Sequence, residues 1–223
     1  MESLININGE NIQTLEILFL TTIIALLPSL LVMMTSFTRY IISFSFLRTA
    51  MGTQQTPPNV VLIGIALFLT LFTMAPTLSQ IQAEAYEPYV AEEISQEEFM
   101  ERAQKPLKEF MIRNTRTNTL QMFCDLGKVN MPAEVNVATV RDTLPLTVIV
   151  PAFMTCELQR AFTIGFLLLL PFMLIDIVVS STLMSMGMIM LPPAMISMPF
   201  KLLLFVTLNG WELLFSSLVQ GFK

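Results

Sequence analysis

Long apolar runs and one polar block divide the chain, and the apolar runs are of membrane length. Ile17 to Thr38 carries no charge and consists mainly of Leu, Ile and Phe, enough as a helix to cross about 30 Å of hydrocarbon. Phe37, Tyr40, Ile41, Phe44, Leu47 and Met51 then recur at helical spacing. Arg39, Ser43 and Arg48 fall mostly on the other side of that helix, and Gly52 is placed to end it. The run TQQTPPN, Thr53 to Asn59, stops any helix, because Pro58 biases Pro57 away from helical angles and neither proline has an amide proton. A second apolar run, Val60 to Leu78, follows directly. Ala161 to Leu208 is almost unbroken apolar sequence, divided at Leu191-Pro192-Pro193 into a long arm containing Pro171 and a second arm reaching Trp211 and beyond. The pattern predicts two apolar helical hairpins, residues 17–80 and 161–223.

Residues 84–160 between them are polar and patterned differently. Ser95 with Glu98 forms a capping box and Ile94 with Phe99 a hydrophobic staple, so a helix begins there. Phe99, Ala103, Leu107, Phe110 and Met111 make its apolar face, Glu98 to Arg102 and Glu101 to Lys105 are favourable i,i+4 pairs, and Pro106 is expected to kink it. A short helix around Leu120, Phe123 and Cys124 ends near Gly127, and Asn130 to Pro145 is expected to be a loop. The predicted fold is all-α: a single unit, 1–223, of two membrane-associated apolar hairpins with an inserted amphipathic helical region.

Composition places the chain among membrane proteins, with 54% hydrophobic residues, 13% charged residues and a mean hydropathy of +0.68. Charge is confined to the first sixteen residues and to Glu84–Arg160, apart from Arg39, Arg48, Asp176, Lys201, Glu212 and Lys223. The net charge of −5 comes from the N-terminus and the polar block, and no basic patch supports nucleic-acid binding. No cationic residue precedes Arg39, so the first segment lacks the positive start of a cleaved signal peptide and is expected to be retained. The connection Arg39–Asn59 holds two arginines and no acid, which by the positive-inside rule puts it in the cytoplasm and residues 84–160 outside.

Chemistry-bearing groups are sparse. Histidine is absent, and there is no metal-ligand cluster, no Ser-His or Cys-His arrangement and no glycine-rich phosphate loop, so neither an enzyme nor a metal or cofactor site is expected. Cys124 and Cys156 are read as two packed thiols, with a disulfide between them as the alternative if residues 84–160 are extracytoplasmic. Asp176 and Lys201 would each cost about 2.5 to 3.5 kcal/mol at a bilayer centre, so each must face protein, water or a partner, paired with the other or separately. With no histidine and no second acid nearby, burial at subunit contacts is preferred over an ion or proton relay, and Glu157 is likewise read as a contact residue. Met184, Met186, Met188, Met190, Met195 and Met198 crowd around Gly187 and the proline pair. Methionine is soft and unbranched, suited either to filling an irregular core or to a surface that opens and repacks. A multi-pass small-solute or ion transporter is the alternative, since Pro- and Gly-interrupted apolar segments with buried charges are features of discontinuous transporter helices. The two hairpins, however, show no internal similarity.

Four blocks carry a family signature: TSFTRYIISFSFLRTAMGTQQTPPN (Thr35–Asn59), FMIRNTR (Phe110–Arg116), PAFMTCELQRAFTIGF (Pro151–Phe166) and PFMLIDIVVSSTLMSMGMIMLPPAMISMPFKLLLF (Pro171–Phe205). Together they resemble the FliP family of flagellar type III export-gate proteins, and TQQTPPN followed by LIGIALFLT resembles the flagellar branch more than the injectisome one. The resemblance implies a non-enzymatic core subunit of the bacterial flagellar basal body and cytoplasmic membrane. It implies a homopentamer joined by FliQ-like and FliR-like subunits and further export-apparatus proteins, in a helical ring whose pore passes unfolded substrates. It further implies tilted hairpins lying largely above the membrane plane, a pore constriction at Met188, Ile189 and Met190, and subunit contacts at Glu157 and Lys201. Ile189 departs from the family's run of three methionines there, and it is stiffer at χ1.

Overall fold

The computed structural model describes residues 32–132 and 136–222 without a break, and scattered positions among the first 31. Among the described residues it is helical throughout, apart from a small antiparallel pair of strands, β1 (Ile5–Ile7) and β2 (Glu10–Ile12), in register Ile5 to Ile12. Of the predicted segment Ile17–Thr38, positions 17, 18, 21, 22, 25 and 29 and the stretch 32–34 are helical; its other positions up to 31 lie outside the described residues.

Helix α1 (Phe37–Met51) ends as its sequence predicts, with Gly52 left-handed at φ +75° and its N–H on the Thr49 carbonyl. The expectation that Arg39 and Ser43 lie on an outer face is wrong, because both are buried with Tyr40, Phe44 and Leu47. The reason is that α1 is enclosed on several sides, so no polar face is left over. The stretch 39–59 is therefore no short surface connection, and Arg39 no longer counts as a surface charge for orientation; only Arg48 remains of the two.

Helix α2 (Asn59–Val90) begins at once after Pro58 and runs twelve residues past the predicted end, through a π-helical stretch at Gln82–Tyr86 into the polar block. Helix α3 (Gln96–Arg113) has the predicted capping box, with the Glu98 N–H on Ser95 Oγ at 3.3 Å and the Ser95 N–H on Glu98 Oε2 at 3.4 Å. Pro106 sits inside α3 without ending it, and Phe99 meets Tyr89 of α2 with ring centroids 4.9 Å apart. Helix α4 (Thr117–Gly127) follows. The predicted loop 130–145 contains a further helix, α5 (Val137–Thr143), started by Asn136, whose Oδ1 accepts from the Thr139 N–H at 2.7 Å.

The largest difference lies in α6 (Leu146–Ser185). It is continuous for 40 residues through Pro151 and Pro171, and it crosses the expected boundary at Arg160–Ala161. The polar insert and the second hairpin thus share one rod. The second arm is in turn two pieces, α7 (Pro193–Thr207) and α8 (Gly210–Gln220), bent by 64° at Asn209, which takes φ +51°. Asn is among the residues that tolerate that conformation. Among the described residues α2 and α6 are each long and apolar enough to cross a membrane, and α7 with α8 makes a third candidate if the bent pair is one span.

Contacts set the directions. Arg39 meets Glu157 and Phe46 lies against Gly165, so α1 and α6 run parallel, at a sequence offset near 118. Gly165 is where they come closest: a Cβ there would lie 2.4 Å from the Phe46 ring. Helix α8 runs back along α1, pairing Phe215 with Phe44 and Phe222 with Tyr40. Two buried clusters result. One joins α3, α4, α5 and Met74 of α2 to the first turns of α6, and the other joins α1, α2, α7, α8 and Phe172 of α6.

Candidate functional site

At one end of the molecule, α6 and α7 form a hairpin whose turn, Met186–Pro192, lies beyond the second cluster. The turn is well specified. The Met188 N–H bonds the Leu183 carbonyl and the Gly187 N–H the Met184 carbonyl, both at 3.0 Å, with Gly187 at φ +75°. This is the Schellman arrangement, in which a left-handed residue lets two amides answer orphaned helix carbonyls. Gly187 therefore caps α6. Pro192 is extended and Pro193 starts α7, where a missing N–H costs nothing.

Met188, Ile189 and Met190 occupy the tip. Ile189 is 83% and Met190 98% exposed in the single chain, and Met188 is about half exposed. Of the six methionines between Met184 and Met198, five are exposed and Met198 is half-buried, and none belongs to either buried cluster.

Below the tip, Asp176 and Lys201 pair with each other. Lys201 Nζ donates to Asp176 Oδ2 at 2.7 Å and Ser197 Oγ to Asp176 Oδ1 at 2.7 Å. Nine residues separate Asp176 from the end of α6, about 14 Å along the axis. The carboxylate thus staples α7 to α6 one short step beneath the turn. Within the single chain the pair is lopsided: the Asp176 side chain stays 42% exposed, while that of Lys201 keeps only 7%. Lys201 sits inside the hairpin and Asp176 at its edge.

Glu157 is fully enclosed. Arg39 grips it with two parallel bonds, Nε to Oε2 at 2.6 Å and Nη2 to Oε1 at 2.5 Å, and Arg160 adds a third at 3.0 Å. The spare donors also find acceptors, Arg39 Nη1 on the Gly221 carbonyl at 2.9 Å and Arg160 Nη1 on the Asn114 carbonyl at 2.7 Å. The Phe222 ring lies 3.4 Å from the Arg39 guanidinium carbon, a cation–π contact. Within the single chain Glu157 pairs with Arg39 and Arg160, and Lys201 with Asp176. Arg39 is the residue that sequence reasoning missed in this role. Its signal was its isolation, as a cation in an apolar run with no acid within twenty residues.

Cys124 and Cys156 are both buried and free. Cys156 Sγ accepts from the Arg116 N–H at 3.4 Å, and Cys124 lies beside Met131.

The outer faces are strongly apolar. Phe68 and Phe72 on α2, Phe162, Phe166 and Leu174 on α6, and Leu203 and Val206 on α7 are all exposed. Patches of this extent need lipid or protein against them.

The model of the FliP family matches residues 20–218. The flagellar biosynthetic protein FliP of Bacillus subtilis (strain 168) is 48% identical, over all of this chain and all of that protein. Its counterpart in Aquifex aeolicus (strain VF5) is also 48% identical, over 96% of this chain and 88% of that protein. The same identity holds for that of Pectobacterium carotovorum subsp. carotovorum, over 96% of this chain and 82% of that protein.

Proposed function

We propose, from the premise that this chain belongs to the FliP family, that it is a core subunit of the flagellar protein export gate. Five copies join FliQ-like and FliR-like partners in the bacterial cytoplasmic membrane at the flagellar basal body, and unfolded flagellar substrates pass through the pore they enclose. The observation that carries this reading is the projecting tip Met188–Ile189–Met190, apolar, exposed and braced from below by Asp176, Ser197 and Lys201. One chain gives its tip no partner among the described residues, and copies arranged around an axis would give it several.

Mechanistically, each property of the tip has a use in a seal. A ring of thioethers excludes hydrated ions because it offers them no charge and only weak acceptors. Unbranched side chains change rotamer at little cost, so the ring deforms around an extended polypeptide and closes after it. Ile189 adds one stiff apolar member. The Schellman cap and the Asp176 staple keep the backbone fixed while the side chains move. Glu157 and Lys201 contribute to assembly through the shape of the surface they hold.

Exposed apolar faces on α2, α6 and α7 support burial against further subunits or lipid. The transporter reading loses support, because Asp176 and Lys201 neutralise each other within the hairpin and leave little for a solute to bind. Co-expression with candidate small hydrophobic partners, followed by mass measurement of the intact complex in detergent, is the test. The expected result is a complex with several copies of this chain and both partners; a homogeneous, partner-free protein that moves a defined solute would overturn the reading.

A further inference from the structure

We propose that the tip is a reversible oxidation site, at which hydrogen peroxide converts Met188 and Met190 to sulfoxides and so loosens the closure. The inference rests on the reading of this tip as a seal, and it concerns how the seal responds to its surroundings.

Placement makes the tip thioethers reactive where others are protected. Susceptibility of methionine follows exposure. In the single chain Met190 is 98% and Met188 48% exposed, whereas Met51, Met74 and Met111 are at 3% or below. Peroxide is small and uncharged, so it reaches side chains lining a pore mouth as well as those on an open surface.

The hydrogen bonds that hold the tip in shape use no methionine side chain. The turn is fixed by backbone bonds of Met188 and Gly187, and the hairpin by Asp176, Ser197 and Lys201. Oxidation at the tip therefore leaves the fold intact while changing the chemistry of the surface. Oxidation of Met74 or Met111, inside the first cluster, would by contrast place a polar group in a core.

The reaction balances without any further component. The Sδ lone pair attacks one peroxide oxygen, the O–O bond breaks, an S–O bond forms and the second oxygen leaves as water after taking up the proton. Sulfur loses two electrons and peroxide gains them. The product is a strong hydrogen-bond acceptor where a weak one stood, so water and ions find a foothold in the ring. Ile189 has no sulfur and stays apolar, which limits the effect to loosening. Reductases specific for each sulfoxide epimer restore the thioether, which makes the change a switch.

The experiment uses the intact complex, reconstituted in vesicles loaded with an ion-sensitive dye, before and after hydrogen peroxide, with sulfoxides located by peptide mass spectrometry. Met188 and Met190 should oxidise about tenfold or more faster than Met51, Met74 and Met111. Leakage should rise severalfold over the untreated vesicles and fall back after methionine sulfoxide reductase and its thiol reductant are added. In a complex carrying M188L and M190L, the ratio of treated to untreated leakage should stay near one. Tight vesicles despite oxidised Met188 and Met190, or leakage that persists once the sulfoxides are reduced, would overturn the switch and leave the seal standing. Vesicles that leak before peroxide is added would remove the seal and the switch with it.

Discussion

At Glu157 two arginines of the same chain converge on one carboxylate and each arginine also finds a backbone carbonyl, so the charge is buried at no unmet hydrogen bond. Removing one member leaves the others stranded. Glu157→Ala should destabilise the chain by about 3 to 5 kcal/mol, the usual cost of breaking a buried pair from one side. Thermal unfolding of the detergent-solubilised protein would read this, and R39M/E157L, which removes the two enclosed charges and leaves only the part-exposed Arg160, should recover most of the loss. An E157A protein as stable as the parent would disprove the account. At the hairpin, burial is lopsided, and so should be the mutants: Asp176→Asn strands the enclosed Lys201, while Lys201→Met strands only a half-exposed carboxylate. Lower stability for K201M than for D176N would contradict this geometry. The sequence showed Asp176 and Lys201 as charges out of place among apolar neighbours, but put Arg39 on the polar side of its helix and Glu157 in the charged block. It did not show who pairs with whom, because Arg39 and Glu157 are far apart in the chain and no local pattern links them.

Helix starts and stops were legible wherever a local device sets them: the Ser95–Glu98 box, the Gly52 cap and the Pro58 start are all in place. Helix lengths were not. Apolar composition ends near Leu78 and begins near Ala161, but α2 and α6 continue through those points, because neither composition nor Pro151 and Pro171 supplied a stop. The short α5 was missed although Asn136 announces it, since seven residues carry too little periodicity to stand out. Between elements, the approach of α1 and α6 depends on the absence of one methyl group. Gly165→Ala places a Cβ 2.4 Å from the Phe46 ring and 2.9 Å from the Phe46 Cβ, so the helices themselves must part. Overpacking of this kind costs about 1 to 3 kcal/mol. A double-mutant cycle of G165A with F46A should show strong non-additivity in unfolding midpoints; additive losses would mean the two residues do not meet.

Over the whole molecule the two ends differ in kind. One is a compact group of amphipathic helices around the first cluster, and the other is a hairpin whose tip stands clear of the second. If the tips meet around an axis, Met188→Ala with Met190→Ala should open a gap and raise ion leakage in cells that still secrete; unchanged leakage would put the seal elsewhere. Hydropathy recognised the hairpins but not this division, because burial against protein and burial against lipid have the same apolar signature. The parallel pairing of α1 with α6 also bears on how the chain is made. Arg39 leaves the ribosome 118 residues ahead of Glu157, which at about 5 to 20 residues per second is roughly 6 to 24 s of synthesis. Throughout that interval the N-terminal helices have no counter-ion for their arginine and no long helix to lie against. Maturation therefore cannot proceed hairpin by hairpin; it waits for the second half of translation, and whatever receives the nascent chain must shelter α1 until then.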